Sequence, residues 1–406
     1  MYDAIIVGAR CAGSSTALLL ARRGFKVLLV DRARFPSDTI STHILWPHGV
    51  EILARWGIRD RLAATGVPPI GRRITFDVGP FALCGTIPDA NDGMGGFCPR
   101  RTVLDSLLVN AAAEAGVNVR QSFTLTKLLM TGDTVVGIRG HGNGSRPVEE
   151  RARVVIGADG VNSFVARAMH APEYDARPVA ACCYYLYFSD VAQDDIELYV
   201  RDHVAFGGAP THDGLHLLMV NWPTKEFSAV RADVEGHVWR ALEAAPAFLN
   251  RMRAGRREEK WYGTAGVPGY LRKPYGKGWV LVGDAGYCKD PMTAQGMSDA
   301  FIDAELLADA LSRWLSGRGT FEELLAAHEA TRNERVRPMY EFTTQLAALE
   351  PPPPEMQMLF GALRGNQDAT NAFLSAITGA IPLNEFLSPE NVGRIVAAAS
   401  GVESHR

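Results

Sequence analysis

The sequence predicts an α/β protein: a Rossmann-like nucleotide-binding domain, an antiparallel sheet inserted into it, and a helical C-terminal segment. Three observations carry this prediction. The chain opens with a strand–glycine turn–helix–strand pattern. Its character changes after about residue 172 to aromatic, strand-like runs. After Ser298 it becomes helical.

Tyr2 to Val7 is a continuous apolar, β-branched run, the pattern of a strand buried on both faces. A helix is expected from about Ala12 to Arg23, stopped at Gly24, where a left-handed residue costs least. Lys26 to Val30 is the second strand and ends at Asp31, completing a βαβ unit. Arg101 to Gly116 reads as a helix, with Leu104, Leu107, Leu108 and Ala111 at helical spacing. Short strands are expected at 117–120, 123–129, 134–139 and 153–156, the last leading into Gly157-Ala158-Asp159-Gly160. The runs Ala181 to Phe188, Ile196 to Val200 and Leu215 to Asn221 predict the inserted sheet. Pro351 to Pro354 stops any helix, and a short, Ala-rich helical tail follows. The expected division is 1–172 plus 260–345 for the nucleotide-binding domain, 173–259 with parts of 68–100 for the sheet, and 346–406 for the tail.

With 406 residues, 47% hydrophobic, the chain can bury a large core. A net charge of −3 and scattered Lys and Arg give no electrostatic basis for a nucleic-acid partner. The basic run Arg251 to Lys260 is interrupted by Glu258 and Glu259 and reads as a solvated helix end. The six cysteines show no C-x-x-C pair, so free thiols in a reducing cytoplasm are expected and no metal site. No signal peptide and no apolar run of transmembrane length is apparent.

Four segments carry chemistry. Gly8-Ala9-Arg10-Cys11-Ala12-Gly13 is a dinucleotide fingerprint whose second glycine is Arg10. Its glycines serve a tight turn and close helix–strand packing, and the helix start offers N–H groups to a phosphate. Arg10 either reaches that phosphate or points to solvent. Asp31, with Arg32 beside it, ends the second strand, where an acidic residue accepts ribose hydroxyls. Arg101 opens its helix in R-x-x-L-x-x-x-L, and Gly157 to Ser163 with Arg167 forms a second Gly-Asp element. Trp279 to Val282 reads as a strand leading through Gly283-Asp284 and a loop containing Pro291 to a helix near Gly296 and Met297. Gly296 there would let a ligand approach the positive helix end.

These four segments, in this order over most of residues 1–345, resemble the p-hydroxybenzoate-hydroxylase-like FAD-dependent oxidoreductases. That superfamily includes aromatic hydroxylases, geranylgeranyl-reductase-like enzymes and flavin halogenases. The resemblance implies FAD as cofactor, with Asp284 on the ribityl chain, Arg101 on the ribityl–phosphate region, Asp159 and Gly160 bracing the site, and Pro291 packed near the ring. It implies NAD(P)H as reductant. The loop from Asp38 to His43, with Thr42, is expected to touch the cofactor or to cap structure. Gly286 and Tyr287 stand where Ala and His are common in that family, Ala294 replaces a glycine, and Ser298 stands where Asn is common.

The monooxygenase branch implies O2 and oxygen transfer from a flavin C4a-hydroperoxide, with a separate flavin reductase as an alternative supplier of electrons; the aromatic content of the inserted sheet points to an apolar, aromatic or polycyclic substrate. The geranylgeranyl-reductase branch usually carries a cysteine–glycine motif absent from Asp38 to His43, although Met219 to Pro223 faintly resembles its aromatic–Pro strand. The halogenase branch needs a Trp-x-Trp-x-Ile-Pro motif and a pocket lysine, and neither is evident. A non-enzymatic flavin-binding protein is a fourth reading, supported by Arg10 and Ala294. Tyr185, Tyr187, His203, Phe206, Met219 and Trp222 are the substrate candidates. No general base stands out among the catalytic candidates His43, Tyr185 and Asn221.

Overall fold

The computed structural model describes residues 1–87, 95–192 and 195–403; the part of the 68–100 region at 88–94 and the last residues of the tail lie outside them. Tyr2–Val7 lies at the centre of a sheet, parallel to Val27–Val30 on one side and to Val148–Gly157 on the other. Asn118–Arg120 and Trp279–Leu281 extend it in parallel at the two flanks. The first strand is apolar throughout because both faces are covered. Ala4 and Ile6 pack among the helices, and Ile5 and Val7 pack with Phe123 and Ile138 of a hairpin. The covering helices are Cys11–Arg22, Arg101–Glu114 and Gly296–Leu315. That hairpin, Phe123–Thr131 with Thr134–Gly142, is longer than the sequence pattern suggests, because its second strand also pairs with Val148–Arg151.

The second sheet runs in the order Arg256–Arg257, Ala181–Ser189, His216–Pro223, Val204–Pro210, Glu197–Arg201, Ile74–Asp77, Ala82–Gly85. Val204–Pro210 is absent from the sequence prediction. Its VAFGGAP composition shows neither alternation nor β-branching beyond the first residue. Side chains alternate between the two faces. Tyr184, Leu186, Phe188, Leu218 and Trp222 pack on the helices Phe227–Ala232, Val234–Leu242 and Pro246–Ala254. Tyr185, Tyr187, Leu217 and Met219 face the other way. Arg251, expected in solvent, is half-buried and pairs with Glu197 at 2.6 Å.

The C-terminal segment is more than a tail. Helix Phe321–Ala347 is followed closely by Leu349, which adopts φ 53°. Pro354 then opens helix Pro354–Leu363, using the one helical position where its missing N–H costs nothing. Helices Gln367–Ile377, Leu383–Phe386 and Pro389–Glu403 follow. Leu359, Phe360, Phe373, Leu374 and Phe386 pack on Ile74, Phe76 and Leu83 of the second sheet. Each such buried side chain contributes roughly 1.5–3 kcal/mol, enough to fix this layer to the sheet. The six cysteines are free thiols. No helix among the described residues is long and apolar enough to cross a membrane.

Candidate functional site

Val30, Val7, Gly157 and Leu281 stand in one row across the central sheet, paired in register. The loops that follow them, at Gly8, Asp31, Ala158 and Gly283, therefore leave from one edge. Ligands of open α/β sheets bind outside the carboxyl ends of the strands.

At Gly8 the backbone has φ +102°, and a Cβ would lie 2.3 Å from the Ala158 carbonyl oxygen. A Cβ on Gly13 would lie 1.8 Å from the Gly8 carbonyl oxygen. Both glycines let the first helix start hard against the strands. No side chain caps that helix, so the N–H groups of Cys11, Ala12 and Gly13 remain for an anion. Asp31 receives the Ala9 N–H at Oδ2 and the Ala33 N–H at Oδ1, each at 2.7 Å, and keeps lone pairs for further donors. Arg32 beside it is exposed.

Arg10 does not turn to solvent. It donates to Asp105 at 2.6 Å, to the Ser37 hydroxyl at 3.1 Å and to the Asp38 carbonyl at 2.9 Å, tying the loop after the second strand to the helix Arg101–Glu114. Arg101 is buried and forks onto the same Asp105 at 2.9 and 3.0 Å. Cys11 Sγ lies 3.5 Å from Asp105 Oδ1, and burial pushes its thiol up to about 12. Asp105 is thus a fully buried hub for three site residues. The sequence reading missed it; its one local signal was the four-residue spacing from Arg101.

Gly283 has φ +61°, and its Cβ would come within 2.7 Å of the Ala12 Cβ, so the Gly-Asp turn sits directly on the start of the first helix. The Gly283 N–H donates to Asp303 Oδ2 at 2.8 Å, while Oδ1 of Asp303 meets His328 at 2.9 Å. The carboxylate of Asp284 makes no hydrogen bond with the described residues and is exposed. Although it is exposed, the protein crowded around it removes much of its solvation, and this, opposed by Arg101 and Lys289, lifts its carboxyl to about 6. Gly296 begins a 20-residue helix without a side-chain cap, and a Cβ there would meet nothing within 4 Å. Met297 packs its side chain into the core and offers only its N–H. Asp159 uses both oxygens within its own turn, on the Ser163 hydroxyl at 2.5 Å and the Phe164 N–H at 2.6 Å. Its carboxylate shapes the turn at Gly160 rather than reaching out to a ligand. Ala294, where a glycine was noted as usual, has φ 54°, which costs an alanine roughly 1 kcal/mol.

A cavity of about 870 Å³, including its open mouth, lies between the second sheet, the Pro291–Thr293 turn and the C-terminal helices. Its walls include Ile74, Phe76, Leu217, Met219, Phe342 and Ile377. No carboxylate, amine, guanidinium or imidazole lines it among the described residues. The residues along its floor in strand Val204–Pro210 are small: Ala205, Gly207 and Ala209.

Beside this cavity, Tyr185 and Tyr187 stand directly opposite Met219 and Leu217. His43, fully buried with φ 60°, has Nδ1 2.7 Å from the Ser41 carbonyl and Nε2 2.9 Å from the Tyr187 hydroxyl. The carbonyl can only accept, so Nδ1 carries the proton and Nε2 accepts from Tyr187. Burial, reinforced by Arg101 and Arg100, pushes this imidazole down to about 3, so it is neutral. Arg100 stacks over Tyr187 at 4.0 Å.

A family model described as an FAD binding domain matches residues 1–343. The chain belongs to this FAD-binding family. A digeranylgeranylglycerophospholipid reductase of Methanosarcina acetivorans is 27% identical over 81% of this chain and 80% of its own length. One from Methanosarcina mazei is 29% identical over 76% of this chain and 74% of its own. Among solved structures, the flavin-dependent brominase Bmp2 matches with a TM-score of 0.82 at 18% identity, covering all of both chains. PqsL of Pseudomonas aeruginosa, described as a probable FAD-dependent monooxygenase, matches at 0.69 and 20% identity, covering 94% of this chain and all of its own. These likenesses show the fold.

The protein is therefore an FAD-dependent oxidoreductase, and its residues fit the cofactor family. Two uncapped helix starts, at Cys11 and Gly296, and two carboxylates, Asp31 and Asp284, present themselves along one sheet edge. Thr42 and Pro291 border the cavity at its cofactor-loop side. Of the substrate candidates, Met219 and Phe206 line the cavity, and Tyr185, Tyr187, Trp222 and His203 do not. Trp222 packs on the opposite face of its strand, three residues from Met219 and so out of phase with it. Phe206 borders the cavity but stacks its ring on Tyr199 at 5.0 Å on that opposite face. His203 sits in a hairpin turn, its side chain 54% exposed beside Asp202.

Asp290, also missed, is buried with Oδ1 on the Met292 N–H at 3.0 Å and no hydrogen bond to Oδ2. Burial raises its carboxyl from 3.8 to about 6. The folded chain then holds this proton more tightly than the unfolded chain, so stability is lost as pH rises through about 6. The loss is on the order of 3 kcal/mol. Denaturant unfolding across this window should show the fall in wild type, and a shallower one in Asp290→Asn.

Proposed function

We propose that the protein is an FAD-dependent monooxygenase that hydroxylates an uncharged, apolar, aromatic or polycyclic small molecule with NAD(P)H and O2. The observation that carries this reading is the cavity whose described lining holds no carboxylate, amine, guanidinium or imidazole, bordered by the Pro291–Thr293 turn that leads to the Gly296 helix start. FAD, when bound, supplies the oxygen-activating chemistry. The chain's own residues hold and shield. Asp31, Asp284, Arg101 and the two helix starts would hold the cofactor, and Leu217, Met219, Phe342 and Ile377 exclude water from the substrate. The neutral His43–Tyr187 pair locks the Ser41–His43 loop against the sheet, which keeps Thr42 at the cavity wall.

A second reading, reduction of an isoprenoid-like C=C bond, is favoured by the reductases among the relatives and by the same apolar cavity. It needs a proton donor at the bond; among the described residues no carboxylic acid lines the cavity, and the phenol there, Tyr199, already donates to Glu197. Turnover of a panel of polycyclic phenols and isoprenoids under heavy-isotope dioxygen separates the two. The expected outcome is one heavy oxygen atom in the product for each NAD(P)H consumed. Saturation of a double bond under anaerobic conditions, with no oxygen incorporated, would overturn the monooxygenase reading.

A further inference from the structure

Six cavity-lining residues carry side chains with hydrogen-bonding capacity in an otherwise apolar wall: Thr42, Trp46, Tyr199, Thr293, Thr378 and Asn221. Four of them are satisfied within the protein. Trp46 Nε1 donates to the Thr293 carbonyl at 3.1 Å and the Tyr199 hydroxyl donates to Glu197. Thr293 Oγ1 meets Thr343 Oγ1 at 2.8 Å, and Thr378 Oγ1 donates to the Leu374 carbonyl at 2.9 Å. Thr42 is half-buried, at the cofactor-loop side. Asn221 is different: it is only 6% exposed, on the cavity face of its strand two residues from Met219. Its amide can make four hydrogen bonds. It makes one, at 3.4 Å, from Nδ2 to the Ala205 carbonyl of the neighbouring strand. A buried amide left so poorly paired is a cost to the fold, and such groups in native proteins have a partner to find.

We infer that Asn221 is the hydrogen-bonding anchor of the substrate, and that the substrate is a neutral molecule bearing a hydroxyl or carbonyl group on an apolar frame. This rests on the reading of the cavity as the substrate site. A hydroxyl suits the amide in either orientation, since it can donate to the amide oxygen or accept from the amide nitrogen. A carboxylate does not suit the site, because among the described residues no cation lines the wall to compensate it. Asn221 would then set which atom of the frame lies at the Pro291–Thr293 side, making it a specificity-determining residue.

Equilibrium dialysis of the FAD-loaded protein against 2-naphthol, naphthalene and 2-naphthoate tests this. Wild type is expected to prefer 2-naphthol to naphthalene by about tenfold and to 2-naphthoate by about 100-fold. Asn221→Leu, close in volume, should bring the naphthol-to-naphthalene ratio near one while naphthalene binding holds or improves. Met219→Ala, on the same face without a polar group, should shift both affinities together. Asn221→Ala carries the same test if the leucine variant loses its FAD. An unchanged ratio in the Asn221 variants, 2-naphthoate binding as tightly as 2-naphthol, or no binding of any of the three overturns the inference. Oxygen transfer is not read in this titration, so its outcome and that of the isotope experiment stand apart.

Discussion

Asp105→Ala is expected to cost about 3–5 kcal/mol of stability and most of the bound FAD. Asp105 has no exposed surface and holds the guanidinium groups of both Arg10 and Arg101. Its removal leaves Arg101 as an uncompensated charge inside the protein, which is the costly case for a buried ion pair. It also frees Arg10, whose remaining partners are in the Ser37–Asp38 loop. Denaturant unfolding of the apoprotein and flavin retained through gel filtration measure the two effects separately. The double variant Arg101→Met with Asp105→Leu replaces the charges by apolar groups. It is expected to recover much of the stability and none of the FAD affinity, since in the proposed reading Arg101 would hold the cofactor.

Asp284→Ala is expected to behave in the opposite way, weakening FAD binding by roughly 10–100-fold with little loss of apoprotein stability. The Asp284 carboxylate makes no hydrogen bond inside the protein, so nothing in the fold is orphaned when it is removed. Burial already disfavours its charge, so the apoprotein should hold its stability or gain slightly. The loss falls on the ligand, through charge-assisted hydrogen bonds to cofactor hydroxyls. Titration of apoprotein with FAD measures it, and an unchanged dissociation constant would remove Asp284 from the cofactor site.

What was legible in the sequence was local. Gly8, Gly13 and Gly283 are required by contacts within a short strand–turn–helix unit or between two such units, and each stands in a recognisable pattern. Tyr185 and Tyr187 share a face because two-residue spacing in a strand demands it. The same rule, applied from Met219 to Trp222, separates these two residues, and grouping them as substrate contacts overlooked it. What was illegible depends on partners far apart in the chain. Asp105 looks like one more carboxylate on a helix until Arg10, ninety-five residues earlier, folds onto it. Val204–Pro210 has almost no strand character of its own and is held by His216–Pro223 and Glu197–Arg201 on its two sides. The helices after Pro354 have an apolar face whose target, strands at 74–77 and 82–85, lies some three hundred residues upstream.

Those last helices have a consequence of their own. The match to the FAD-binding family ends at residue 343, yet Leu346, Ile377 and Thr378 close the cavity. The part of the chain that recruits the cofactor and the part that finishes the guest's enclosure are thus successive stretches of one polypeptide. A ribosome completes the first before it begins the second, so the cofactor half can assemble while the enclosure is still open on one side. For an engineer the same boundary is a seam: exchanging residues 344–406 between relatives would alter the shape offered to the guest while leaving Gly8, Asp31, Arg101 and Asp284 where they are.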